Sequence, residues 1–266
     1  MIILIFGDVV GRAGRASVRE FLATYRKDHA VDFIIANGEN LAHGKGITEE
    51  TAEELFAAGV NLLTTGNHVW DIRKAQELLQ KDTRIIRPAN FPPGTAGRGW
   101  TTATVGMTTI AVLNLMGRVF FREDLDDPFR AAEAWLKELP RVQPLITLVD
   151  MHAEATSEKR AIAEFLDGKV TAIWGTHTHV VTADERILPQ GTAYLTDLGM
   201  CGALHSILGF SIPPLVERFR TQLSIPFNVE EEGPREVNAL CLDIDERNGR
   251  VRTIERLRSI LDPLTT

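Results

Sequence analysis

Cysteine is nearly absent from this 266-residue chain. Cys201 and Cys241 are too few for a disulfide framework, and no thiolate-metal spacing is present. A reducing compartment is therefore expected. Long hydrophobic runs are missing too, since no apolar segment reaches bilayer-spanning length. The chain opens directly on the strand-like IILIF, without the charged segment and cleavage site of a signal peptide. A cytoplasmic location with no membrane partner is the expectation. Basic charge is in deficit, with 29 Lys and Arg against 36 Asp and Glu and a formal net charge of −7. That balance argues against stable binding of duplex nucleic acid. A small anionic substrate stays open, because a metal cluster would supply local positive charge. The remaining composition, 44% hydrophobic and 24% charged, suits a soluble globular protein with a single domain over 1–266. An isologous homodimer is the base-rate expectation for its assembly.

Five apolar runs each end in a residue able to bind a metal. IILIF (2–6) runs into Gly7-Asp8, DFIIAN (32–37) into Gly38-Glu39-Asn40, and VNLLTT (60–65) into Gly66-Asn67-His68. PLITLVDM (144–151) runs into His152, and VTAIW (170–174) into Gly175-Thr176-His177-Thr178-His179. Short Val/Ile/Leu runs bounded by Gly and polar residues predict buried strands of a mostly parallel sheet.

Helical patterns separate the runs at 15–27, 48–58, 71–80, 127–139 and 157–166, with another at 212–223. Thr48 is predicted as an N-cap, with Thr51 where a capping box would carry Glu, and Asp71 as a second N-cap. Asp127-Pro128 is an N-cap and N1 pair, and Pro140 ends that helix. The alternation predicts an α/β fold, a layered α/β/α sandwich around a central, mostly parallel or mixed sheet. The Pro- and Gly-dense stretch 88–99 reads as a loop and a candidate cover for the site. Runs 237–244 and 251–257 flank an Asn-Gly signal and predict a hairpin.

In open α/β sheets, ligands bind just outside the carboxyl ends of the strands. The polar residues closing the five runs would therefore converge on one edge. Asp8 alone could be a turn residue or helix cap. Its segment GDVVGRAG also looks like a nucleotide loop, with Glu39 after the second strand. However, the glycines at 7, 11 and 14 do not fit G-x-G-x-x-G, and a carboxylate inside the loop would repel a pyrophosphate. Glu39 carries two oxygens that can bridge two cations. Asn67 offers a neutral carbonyl oxygen, and the neighbouring His68 points elsewhere, free to act on substrate. His177 and His179, two apart in a continuing strand, would face the same side. His29 reads as solvated, while His43 and His205 lie in Gly-containing loops without an assigned role.

These residues carry a resemblance. GD, GEN, GNH, a later His and GTHTH resemble the calcineurin-like metallophosphoesterase superfamily. More closely, GDVVGRAGR, ANGENLAHGKGIT, TTGNHVWD, DMHAEATSEK and GTHTHVVTAD resemble its YmdB-like branch, over roughly the first 200 residues. Two departures from the generic signature stand out. Val10 occupies the position of the His in D-x-H, and Glu39 replaces the usual bridging Asp, followed by Asn40.

The resemblance implies two metal ions per chain. Asp8, Glu39, Asn40 and His179 would hold one; Glu39, Asn67, His152 and His177 would hold the other, with Glu39 shared. It further implies hydrolysis of 2′,3′-cyclic nucleotides by a hydroxide bridging the metals, with His68 as general acid. Imidazole and oxygen ligands without thiolate suit iron, manganese or zinc, and the resemblance favours iron or manganese. Three other readings keep the same residues: a phosphomonoesterase, a nuclease, and a regulator that binds a nucleotide without turning it over.

Overall fold

The first strand is apolar at every position because both of its faces are covered. In the computed structural model, which describes residues 1–140, 142 and 145–264, β1 (Ile2–Val9) is buried from Ile3 onward. Ile3 and Ile5 project to one side with Phe33, Ile35, Ile146, Leu148 and Trp174. Leu4 and Phe6 project to the other, against Val18, Leu22 and Leu55 of helices. A strand sandwiched this way shows no apolar–polar alternation.

The α/β class is as expected, but in place of one central sheet two sheets pack face to face, so the layers run helix, sheet, sheet, helix. Sheet A runs β12-β11-β10-β1-β2-β3, with β2 (Phe33–Asn37), β3 (Leu62–Thr64) and β10 (Met200–Ala203) parallel to β1. Sheet B runs β4-β5-β6-β7-β9-β8, with β5 (Thr108–Met116), β6 (Leu145–His152), β7 (Ala172–Thr176) and β9 (Ala193–Leu195) parallel. β4 (Trp100–Val105) and β8 (Arg186–Ile187) close its edges in antiparallel fashion. The two sheets pack face to face through the Ile3–Trp174 cluster.

Helices α1 (Gly11–Asp28), α2 (Glu49–Ala57) and α3 (Ala75–Lys81) cover the outer face of sheet A. Helices α4 (Pro128–Glu138) and α5 (Thr156–Leu166) cover sheet B. Each fully buried Leu or Ile in these three clusters contributes roughly 1.5–3 kcal/mol relative to exposure.

Most of the local signals have the expected structure. Thr48 caps α2 in a reciprocal capping box in which Thr51 takes the place of Glu. Asp127 caps α4 through the N–H groups of Phe129 and Arg130. The hairpin forms from β11 (Arg235–Asp245) and β12 (Arg250–Leu261), with Gly249 at φ 68° in the turn. Helix α6 (Ile212–Thr221) fills the stretch 212–223 apart from its end.

Two helix starts differ from expectation. α1 begins at Gly11 rather than residue 15, since Gly14 lets the helix lie directly on β10; a Cβ there would collide with the Cys201 carbonyl oxygen. Of the glycines in GDVVGRAG, only Gly14 serves this helix–sheet contact; Gly7 packs against Gly199 and Gly11 against Val229. α3 begins at Ala75, and Asp71 caps nothing, because its carboxylate is taken by His68. No helix among the described residues is long and apolar enough to cross a membrane. Pro144 of the run 144–151, and the last two residues of the expected 1–266 domain, lie outside the described residues.

Candidate metal centre

The carboxyl ends of the parallel strands of both sheets meet, and the candidate residues divide between them. Asp8 closes β1, Glu39 and Asn40 follow β2, and Asn67 and His68 follow β3. His152 closes β6, and His177 and His179 follow β7. Asp8, Glu39, Asn40 and His152 are at most 2% exposed.

Four acceptor atoms converge on one point. His152 Nε2 lies 3.0 Å from Asn67 Oδ1, 3.2 Å from Glu39 Oε1 and 3.1 Å from His177 Nδ1. Ligand atoms about 2.1 Å from a shared ion at right angles would stand about 3.0 Å apart, so this spacing fits a common cation. Asp8, Glu39 and His179 form a second group whose donor atoms lie within 4.8 Å of one another, again sharing Glu39. Asp8 Oδ1 and Asn40 Oδ1 are buried without a hydrogen-bond partner among the described residues. Asn40 Nδ2 is already committed to the Gly44 carbonyl at 2.9 Å, which leaves its oxygen available as a ligand.

The outward nitrogen of each candidate ligand histidine is anchored on an acceptor. Thr176 donates its hydroxyl to Asp150 Oδ1 at 2.7 Å and therefore accepts from His152 Nδ1 at 2.9 Å. Glu154 Oε2 receives His177 Nε2 at 3.1 Å, and the Leu208 carbonyl receives His179 Nδ1 at 2.9 Å. Each inward nitrogen is thereby left with a lone pair, the arrangement that outer partners impose on metal-ligating histidines.

Charge points the same way. Burial pushes the Asp8 carboxyl well above the usual range, with Glu39 and Asp197 adding to the rise and His152 opposing it. Burial also acts upward on Glu39, but His152 and then His68 outweigh it and hold that carboxyl low. Burial and His152 push His177 down to about 3, and burial lowers His179 as well. Two adjoining buried carboxylates cannot both ionise cheaply without a cation. Burial acts downward on His152 but Glu39 outweighs it, so where no cation binds, His152 supplies positive charge beside them, while the lowered His177 and His179 are ready neutral ligands.

The expectation that His177 and His179 continue a strand is corrected. β7 stops at Thr176, and both histidines take left-handed conformations, φ 101° and 62°. The His177 N–H donates to Asp8 Oδ2 at 3.0 Å and the Thr178 N–H to Asp197 Oδ2 at 3.2 Å, which draws the chain off the sheet. The pair then reaches one histidine into each group. Gly66 is required for close approach, since a Cβ there would collide with His152 Nε2.

His68 belongs to neither group. Its N–H donates to Glu39 Oε2 at 3.1 Å, while its Nδ1 donates to Asp71 Oδ2 at 2.9 Å, with the side chain 26% exposed. Val10, where the generic signature has His, is buried at the start of α1 without a polar role. His43 and His205 are exposed, and His29 stacks on Tyr25, all outside the ligand groups.

The stretch 88–99 is a loop but not the cover. Phe91 packs on Trp70 and, with Asn90, lines a separate cavity. The cavity beside the ligands is lined by Phe120, Phe121, Arg122 and Glu123, none of which the sequence pattern singles out. Nor does it single out Asp150, Thr176 and Glu154 behind the histidines, or the buried Lys159–Asp197 pair at 2.5 Å. A polar Asp150 inside LITLVDMH is the one signal that could have revealed the first of these.

Two sheets feeding one cluster of carboxylate, amide and imidazole side chains place the chain in the α/β class with a candidate metal centre at the strand ends. Within that class the chain belongs to the YmdB-like family, whose pattern, described as YmdB-like protein, matches residues 4–257. It is 44% identical over 257 residues to a 2′,3′-cyclic-nucleotide 2′-phosphodiesterase of Bacillus subtilis, covering 97% of this chain and 96% of that one. A hypothetical protein from Thermus thermophilus superposes with a TM-score of 0.91 at 40% identity, covering 98% and 100% of the two chains. The calcineurin-like phosphoesterase YfkN from Bacillus subtilis shares the fold at a TM-score of 0.58 and 9% identity, over 98% and 90% of the chains.

Proposed function

We propose that this chain hydrolyses nucleoside 2′,3′-cyclic phosphates at a centre of two metal ions, with His68 as proton donor. The observation that carries the reading is the pair of candidate ligand groups sharing Glu39, one completed by Asn67, His152 and His177, the other by Asp8, His179 and Asn40. The activity named for the Bacillus subtilis relative at 44% identity supports the substrate class. Imidazole and oxygen donors without thiolate favour iron or manganese, with zinc as the next fit.

Bound ions would supply Lewis-acid charge to the phosphoryl oxygens and activate the attacking water. The residues of this chain do the rest. Glu39 ties the two groups together and fixes the His68 backbone through the His68 N–H. Asp71 holds His68 Nδ1, which leaves Nε2 to deliver a proton to the departing ribose oxygen. A five-membered cyclic diester needs only one leaving oxygen protonated, which a single free histidine can serve. That free histidine favours turnover over silent binding, because a binding site has no need of a proton donor.

Elemental analysis of protein purified without added metal, with turnover of adenosine 2′,3′-cyclic phosphate and p-nitrophenyl phosphate on the same sample, tests the reading. About two iron or manganese ions per chain with preference for the cyclic diester is the expected result. Preference for the monoester would make it a phosphomonoesterase, and failure to take up metal on reconstitution would remove the central claim.

A further inference from the structure

We propose that Phe120 and Phe121 form a stacking subsite for the nucleobase of the substrate, an assignment that rests on the cyclic nucleotide reading above. A cavity of about 450 Å³ opens beside the metal ligands, with Asn67 and His177 on its inner side and Phe120 and Phe121 along its wall. That volume falls within the range of small-molecule sites, roughly 300–1,000 Å³. The ring of Phe121 lies 4.8 Å from the ring of His177, so the aromatic wall begins at a ligand.

Phe120 is the residue the fold does not account for. Its side chain is 82% exposed and its backbone sits at φ 70°. A bulky residue gains nothing from the left-handed region, and a phenyl ring gains nothing from water. Both costs are borne at one position on the rim of the candidate site, where strain of this kind tends to serve a ligand.

The segment that carries it is held at both ends. The Gly117 N–H donates to the carbonyl of His152 at 2.9 Å. The carboxylate of Glu158 accepts the N–H groups of Arg118 and Val119, at 2.9 and 3.3 Å. Downstream, the Asp126 N–H donates to the Asn90 carbonyl at 2.9 Å, and Asn90 Nδ2 donates back to the Asp126 carbonyl at 3.0 Å. A tip fixed in this way presents its aromatic residues in a set place relative to His152 and His177.

The chemistry suits a nucleoside cyclic phosphate. Its phosphate would occupy the ligand cluster while its base extends outward over the aromatic wall. Every base has a π-face, so stacking tolerates all four and gives affinity rather than base choice.

The test compares metal-loaded wild type and Phe120→Ala on adenosine 2′,3′-cyclic phosphate and on glycerol 1,2-cyclic phosphate, the same five-membered diester without a base. In Phe120→Ala the ratio of kcat/KM for the nucleotide over that for the glycerol diester is expected to fall on the order of ten- to a hundred-fold, chiefly through KM. Phe120→Trp should keep the ratio, and adenosine 2′,3′-cyclic phosphate should quench its added indole emission. A ratio unchanged in Phe120→Ala overturns the subsite and leaves the reaction standing. Absence of turnover of either diester by the wild type overturns the reaction, and the subsite with it.

Discussion

Asp71 Oδ2 stands 2.9 Å from His68 Nδ1, so a carboxylate that the sequence pattern assigns to a helix cap instead orients the site histidine that stands outside both candidate ligand groups. Held this way, the ring keeps Nε2 free, as the proposed proton-donor role requires. His68→Ala is expected to retain its metal and lose kcat by about 10²–10⁴-fold. Asp71→Asn should also retain metal, with a smaller loss. Steady-state kinetics beside elemental analysis distinguishes the two roles, and equal metal loss in His68→Ala and Asn67→Ala would remove His68 as the acid.

Asn67 and Glu39 act on metal content differently. Asn67→Ala removes one neutral ligand from the group around His152 and should lower the metal per chain without emptying the site. Glu39→Gln removes the charge common to both groups and should deplete both. Metal analysis after dialysis against a mild chelator ranks them, and identical retention in both variants would contradict the shared role of Glu39.

Gly66→Ala should disable the site through geometry alone. Its Cβ would collide with three atoms of the His152 ring, which Thr176 holds in place through Nδ1. Overpacking of this kind costs about 1–3 kcal/mol. Urea unfolding should show that loss together with reduced metal uptake; unimpaired binding would mean that the ring can yield.

Lys159 and Asp197 form a fully buried ion pair behind the 177–179 turn. Lys159→Ala strands the carboxylate and should cost about 3–5 kcal/mol. Lys159→Met combined with Asp197→Asn should recover part of that, because the amide oxygen can still accept a backbone N–H. Denaturant midpoints of the wild type and both variants give the sign.

Burial pushes the Cys201 thiol up to about 12. An unfolded thiol titrates near roughly 8.5, so the folded value is the higher one. The associated stability is complete below the unfolded value and is lost as pH rises toward the folded one, by about 1.4 kcal/mol per pH unit within that window. Unfolding curves from pH 8 to 11 should show this slope, and Cys201→Ala should flatten it. Native protein at pH 8 should also protect Cys201 from thiol reagents.

The α/β class, the caps at Thr48 and Asp127, the hairpin and the eight candidate site residues are all legible in the order of amino acids alone. Each is a short-range signal: an apolar run that ends in a polar residue at a strand terminus, or a side chain that bonds its own next turn. The departures at Val10 and Glu39 are legible only against the family signature that the chain resembles. Whatever depends on which face meets which came from packing. Strands buried on both faces read alike in one sheet or two, so only the folded chain revealed that the candidate ligands come from two sheets meeting at their carboxyl ends. Asp71 is drawn from its cap by His68, and the 177–179 turn is pulled into the left-handed region by Asp8 and Asp197, partners 169 and 19 residues away. The aromatic tip at Phe120 carries no local pattern, because its meaning lies in the cavity that distant residues enclose.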